Sequence, residues 1–284
     1  MAFDFWKYHA LGNDYLVIDP NLTAFDPTPE AVKLVCDRHF GVGSDGILFG
    51  PITEEGGMRL RIFNPDGSEA EKSGNGIRIF SRYLVEAGYV KERSFTLRTL
   101  GGEVRVEVLN ETASLIKVDM GTVTFRSERI PVSGPPREVV DEPLAVGDRV
   151  FRATCASIGN PHCVIPLPEI SAELAREYGP RIENHPLFPN RINVQFLQVL
   201  DPRNIRLEIW ERGAGYTLAS GSSSSAAACA AHRLGLVEPS LTVHMPGGEI
   251  GIEIATDGHV HMTGPVAGVA RGEFAEEMRR RMKG

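Results

Sequence analysis

The chain has 284 residues, 42% of them hydrophobic and 24% charged, with a formal net charge of −7. That length accommodates two domains with separate cores, and the acidic balance provides no basic footprint for nucleic acid. No apolar run approaches the roughly 18 residues of a membrane span, and the opening MAFDFWKYHA lacks a secretory pattern, so neither nucleic-acid nor membrane partners are expected and the cytoplasm is the expected location.

In chain order, residues 6–19 and 59–63 read as strands and 30–39 as a helix. After Ser73 the spacing of Ile77, Phe80, Tyr83, Leu84 and Ala87 predicts an amphipathic helix that Gly88 ends. Residues 94–108 read as a hairpin around Gly101 and Gly102. Residues 127–149, with Pro131, Pro135, Pro136, Pro143 and several charges, are the best linker candidate. A second helix is expected from about 221 to 234, stopped by Gly235, although Ser222 to Ser225 and Ala226 to Ala231 resemble a flexible linker in composition. Small side chains allow a helix to approach a neighbour closely, so this segment is expected to be central and packed against its counterpart in the first half. The last residues, 273–283, read as a charged, solvated helix. Cys36, Cys155, Cys163 and Cys229 show no metal spacing and are expected to be buried free thiols; no metal site is predicted.

The two halves are related. Leu11-Gly12-Asn13 reappears as Ile158-Gly159-Asn160 at an offset of 147, and Met58 to Asn64 as Ile205 to Glu211 at the same offset. Ser73-Gly74 likewise matches Ser220-Gly221, and Gly88 and Val90 match Gly235 and Val237. One position out of step, FTLRTLGGEVRVEV from Phe95 matches LTVHMPGGEIGIEI from Leu241. A duplication of this kind predicts two similar halves with opposed, nearly equivalent walls around a cleft. The expected division is 1–126, 127–268 and a tail helix 269–284.

In each half a serine and a glycine stand where the chain turns into a helix: Ser73-Gly74-Asn75-Gly76 and Ser220-Gly221-Ser222-Ser223. The amides and positive dipole end of such a start suit a carboxylate or phosphate, and glycine lets the ligand approach the backbone. Ordinary N-capping explains each serine taken alone. It does not explain the polar residues at other element ends: Asn13, Asn160, Asn64, Glu211, His162, Asn193 and Arg212.

With these residues in view, the chain resembles the diaminopimelate epimerase family over nearly its whole length. The resemblance rests on Tyr8 to Asp14 (YHALGND), Asp37 to Gly43 (DRHFGVG), Phe63 to Ser68 (FNPDGS), Ser73 to Gly76, Gly159 to His162 (GNPH), Arg191 to Val194 (RINV) and Glu211 to Gly215 (ERGAG). It implies two pseudo-symmetric α/β (α+β) domains, each a mostly antiparallel sheet wrapped around a central helix. It implies an isomerase of amino-acid biosynthesis, in the lysine branch, that moves an α-proton with no pyridoxal phosphate, metal or other cofactor. The ligand would be a small carboxylate or amino acid, and a homodimer is compatible. By position, substrate contacts fall on Asn13, Asn64, Gly74, Asn75, Asn160, Asn193, Glu211, Arg212, Gly221 and Ser222, and the catalytic set on Ser73, Ser220, His162 and Glu211.

The family uses a cysteine from each half as base and acid, whereas this chain has Ser73 and Ser220 there. A thiol ionises near 8.5 and a hydroxyl closer to water at about 15.7, a gap of roughly 7 units or on the order of 9 to 10 kcal/mol. A serine therefore needs an adjacent base, for which His162, Glu211 and Lys72 are candidates. Two further readings stay open on the same motifs: a double-bond isomerase or tautomerase of an unsaturated acid, with Lys72 as acid or base, and a non-catalytic carboxylate-binding paralogue. Exchange of substrate hydrogen with solvent deuterium separates an enzyme from a binder.

Overall fold

The computed structural model describes residues 3–55 and 57–282. Among these, five α-helices accompany the strands: α1 (Pro29–Cys36), α2 (Gly74–Glu86), α3 (Ala172–Glu183), α4 (Gly221–Arg233) and α5 (Glu276–Met282). Two compact units form, one from the residues through Val118 together with those from Gly264 onward, the other from Asp119–Thr263.

In the first unit the strand order is Ala267–Gly272, Phe5–Ala10, Asn13–Ile18, Ile47–Glu54, Gly57–Phe63, Ser94–Thr99, Gly102–Val108 and the start of Leu115–Thr122. Asn13–Ile18 runs parallel to Ile47–Glu54, and Gly57–Phe63 parallel to Ser94–Thr99; the other neighbours are antiparallel. A parallel pair needs a crossover, and α1 and α2 provide the two. The second unit repeats the plan. Its order is Glu142–Val146, Arg149–Ser157, Pro161–Pro166, Asn193–Asp201, Asn204–Glu211, Ser240–Met245, Gly248–Ile254 and His259–Pro265, with parallel pairs at the crossovers of α3 and α4. The repeat in the sequence is thus a repeat of topology.

Each second crossover helix is the core of its unit. Along α2, residues on every side are buried, including Ile77, Arg78, Ile79, Phe80 and Leu84, because the helix touches strands Phe5–Ala10, Asn13–Ile18, Ile47–Glu54 and Gly102–Val108. A helix enclosed in this way buries more than an amphipathic stripe. In α4 the five alanines and the cysteine from Ala226 to Ala231 are buried, against strands that include Arg149–Ser157, Pro161–Pro166 and Gly248–Ile254. Small side chains let those strands close around it. Both helices stop alike, with Gly88 at φ 79° and Gly235 at φ 71° just past the last turn.

Several expectations need correcting. The stretch 6–19 is a hairpin whose two-residue turn places Leu11 at φ 56° and Gly12 at φ 87°; a leucine gives no turn signal. The helix expected over 30–39 ends at Cys36, since Asp37 is extended. Residues 127–149 are not a linker: Ile130, Val132, Val139, Leu144 and Val146 are buried in the core of the second unit, and Arg137 forks onto Glu142. Prolines and charges had masked that alternation. The tail is docked, not solvated. Met278 and Met282 pack on a core containing Phe274, and Arg279 pairs with the buried carboxylate of Asp4; Lys283 lies outside the described residues. The strand Ala267–Gly272 pairs with Phe5–Ala10, so the chain after Gly264 belongs to the first unit. The four cysteines are buried and free, and Cys155 and Cys163 face each other across adjacent strands.

Candidate active site

In the first unit Ser73 is the N-cap of α2. Its extended backbone turns the side chain back so that Oγ accepts the Gly76 N–H at 3.0 Å, and its carbonyl accepts the Ile77 N–H at 2.8 Å. The amides of Gly74 and Asn75 lie at the positive end of the helix. The Asn75 side chain donates to Asn13 Oδ1 at 3.0 Å and accepts from the buried guanidinium of Arg78 at 2.9 Å. Asn13 in turn donates to Asp45 at 2.9 Å, and Arg38 bridges Asp45 at 2.6 Å and Asp14 at 2.7 Å. Burial alone would raise the Asp14 pKa, but hydrogen bonds and charge from Arg38 and Lys7 outweigh it and hold the carboxyl below its usual range. A buried arginine and an ion-pair cluster therefore set the orientation of both amides. Asn64 sits at the end of its strand and donates to Ser68 at 3.0 Å, apart from this chain of contacts. Lys72 is half-buried immediately before the cap.

The second unit builds the same arrangement with different side chains. Ser220 caps α4: its Oγ accepts the Ser223 N–H at 3.4 Å and its carbonyl the Ser224 N–H at 3.0 Å. Asn160 donates to Ser222 Oγ at 3.2 Å, a pairing 62 residues apart, as Asn13 and Asn75 are. His162 is fully buried on the strand Pro161–Pro166 that begins just after Asn160, accepting at Nδ1 from Gln195 at 3.1 Å, which leaves Nε2–H to donate to Asn160 Oδ1 at 2.9 Å. Gln195 also donates to Ser223 at 3.0 Å. Asn193 donates to the Pro161 carbonyl at 2.7 Å and accepts the Arg212 N–H at 2.9 Å; the Arg212 guanidinium reaches the Asn190 carbonyl at 3.1 Å. Glu211 closes its strand, half-buried, opposite Gly215.

His162 is held as a neutral imidazole. Burial, aided by the charge of Arg212 and opposed by the Gln195 hydrogen bond, lowers its pKa to about 3 from an ordinary 6.5. The unfolded chain therefore binds the extra proton between those values, so the stability contribution is complete above about pH 6.5 and is lost as pH falls toward 3. Between pH 7 and pH 5 the protein is expected to lose about 2 kcal/mol that a His162→Gln variant keeps, read from urea midpoints at the two pH values. Equal pH slopes in the two proteins would overturn this assignment.

The sequence missed Asp45, Arg78 and Gln195, and showed Arg38 and Ser223 only as members of motifs, so the support of the asparagines was not legible. Two signals were present: Gln195 is a lone polar residue between Val194 and Phe196, and Arg78 lies between Ile77 and Ile79 in a helix core. Helix α3, capped by Ser171, was not located either, because Pro180 lies inside it.

The sequence profile of the diaminopimelate epimerase family matches residues 5–126 and 154–269. The chain belongs to that family. It is 55% identical to diaminopimelate epimerase 2 of a Nostoc species over 275 residues, covering 96% of each chain. It is 42% identical to the diaminopimelate epimerase of Moorella thermoacetica, over 95% of this chain and 98% of that one. Among solved structures, a phenazine biosynthesis protein of the PhzF family from Bacillus anthracis has the same fold, with a TM-score of 0.69 at 16% identity over 96% of this chain and 99% of the other. The diaminopimelate epimerase fold accounts for the two units of shared topology and for a capped helix at the core of each. No described helix is long and apolar enough to cross a membrane.

Proposed function

We propose that the protein is a cofactor-independent isomerase that inverts the α-carbon of an amino acid by two-sided proton transfer, with Ser73 and Ser220 at the proton-transfer positions. What carries the reading is the matched pair of serine-capped helix starts, each with an asparagine from a neighbouring hairpin hydrogen-bonded two residues beyond the cap. The amides of Gly74, Asn75, Gly221 and Ser222 would cradle the α-carboxylate. Asn13, Asn64, Asn160 and Asn193 would hold the remaining polar groups, with Arg212 offered to a carboxylate and Glu211 to an ammonium. Neutral His162 orients Asn160 rather than carrying the proton, since at a pKa of about 3 it is a weak base. The Nostoc and Moorella relatives are named diaminopimelate epimerases, and diaminopimelate is the substrate proposed here.

The decisive measurement is incorporation of solvent deuterium at Cα of diaminopimelate in D2O, without added pyridoxal phosphate and with chelator present. Exchange accompanied by inversion is expected. Exchange of an unsaturated acid in its place would move the assignment to a double-bond isomerase, and no exchange of either would leave a binding protein.

A further inference from the structure

Ser73 has a second hydroxyl beside it. The phenol of Tyr15 lies 3.3 Å from Ser73 Oγ, on the strand that also carries Asn13. Residues two apart on a strand share a face, so Asn13 and Tyr15 both reach the start of α2, one at Asn75 and the other at the cap. The ring is 7% exposed and fixed from behind: a Cβ added at Gly46 would stand 2.7 Å from its Cε1 and 2.4 Å from the Phe63 carbonyl oxygen. No side chain fits at position 46 while Tyr15 keeps this place. Gly76 N–H occupies one lone pair of Ser73 Oγ, and the remaining lone pair and proton allow an exchange with the phenol.

We propose that Tyr15 is the proton-relay partner of Ser73, supplying through the serine the base that a lone hydroxyl lacks. This rests on the isomerase reading above. In the forward step Tyr15 enters as phenolate. The substrate Cα–H bond breaks, its proton passes to Ser73 Oγ as Ser73 gives its own proton to the Tyr15 oxygen, and the electron pair stays on Cα, delocalised into the carboxylate. The reverse step returns both protons, with no oxidant or co-reactant needed. In water a phenol ionises about six units lower than an aliphatic hydroxyl, so the phenol is the stronger acid of the pair. Both ring nitrogens of His162, another candidate base, are taken up by Asn160 and Gln195.

The test is Tyr15→Phe, which keeps the ring and removes one oxygen, assayed by Cα deuterium exchange of diaminopimelate with the fold checked by circular dichroism. A fall of about 100-fold in kcat with KM changed less than about threefold is expected. A purely structural role for the hydroxyl would cost the same in any background. In a Ser73→Cys background, where the thiol forms its own anion, the loss from Tyr15→Phe should instead shrink at least about tenfold. Exchange by the parent protein that Tyr15→Phe leaves within about threefold, or an equal loss in both backgrounds, overturns the relay and leaves the isomerase reading standing. Absence of exchange in the parent protein removes both together.

Discussion

Converting Ser73 and Ser220 together to cysteine is expected to raise diaminopimelate epimerisation by several orders of magnitude. Each thiol reaches its anion about 7 pK units more easily than the hydroxyl it replaces, on the order of 9 to 10 kcal/mol. The geometry should survive, because each side chain sits at a helix cap with glycine following, and its partners are backbone amides and hydroxyls. Sulfur is a weaker cap acceptor than oxygen, which should cost about 0.5 to 1 kcal/mol per helix, far below the gain in acidity. Steady-state rates in both stereochemical directions check the result. A folded double variant that epimerises neither diaminopimelate nor any other amino acid would show that the serines do not limit an otherwise competent site, and would favour a different substrate class.

Ala228→Leu is expected to destabilise the second unit by about 3 kcal/mol, lowering its melting temperature by roughly 6 to 12 °C. Ala228 is fully buried in the middle of α4, and every residue from Ser223 to Ser225 and from Ala226 to Ala231 is buried with it. Strands of the same unit lie against this helix on several sides, and three added heavy atoms have no solvent-facing side to occupy. Overpacked cores respond with off-rotamer side chains or displaced backbone. Glu169→Ala, at an exposed position in the bend before α3, is the control and should shift melting by less than about 2 °C, in line with roughly ±0.5 kcal/mol for surface changes. Scanning calorimetry reads both. An unchanged melting temperature for Ala228→Leu would mean that α4 is not enclosed.

The sequence alone determined the duplication, because a shared offset survives in residues whose roles are local: the caps Ser73 and Ser220, the helix-ending Gly88 and Gly235, and the hairpin glycines near 101 and 247. Caps and turns depend on φ, ψ and neighbours a few positions away, so they are legible without a fold. The family motifs likewise pointed to the asparagines and to the two helix starts.

Tertiary structure decided what those residues touch. That Ala267–Gly272 returns to pair with Phe5–Ala10 is a contact between distant segments, and no local preference encodes it. Residues 127–149 became core only because the second unit has an apolar surface for Ile130, Val139 and Leu144 to cover. His162 read as a candidate acid or base, but burial and its two hydrogen bonds make it a neutral support for Asn160. Nothing in the sequence singled out Tyr15; only the crossover that carries α2 past its strand sets its hydroxyl beside Ser73. Side-chain chemistry is set by desolvation and by partners supplied from other elements, and those partners are fixed by packing rather than by spacing along the chain.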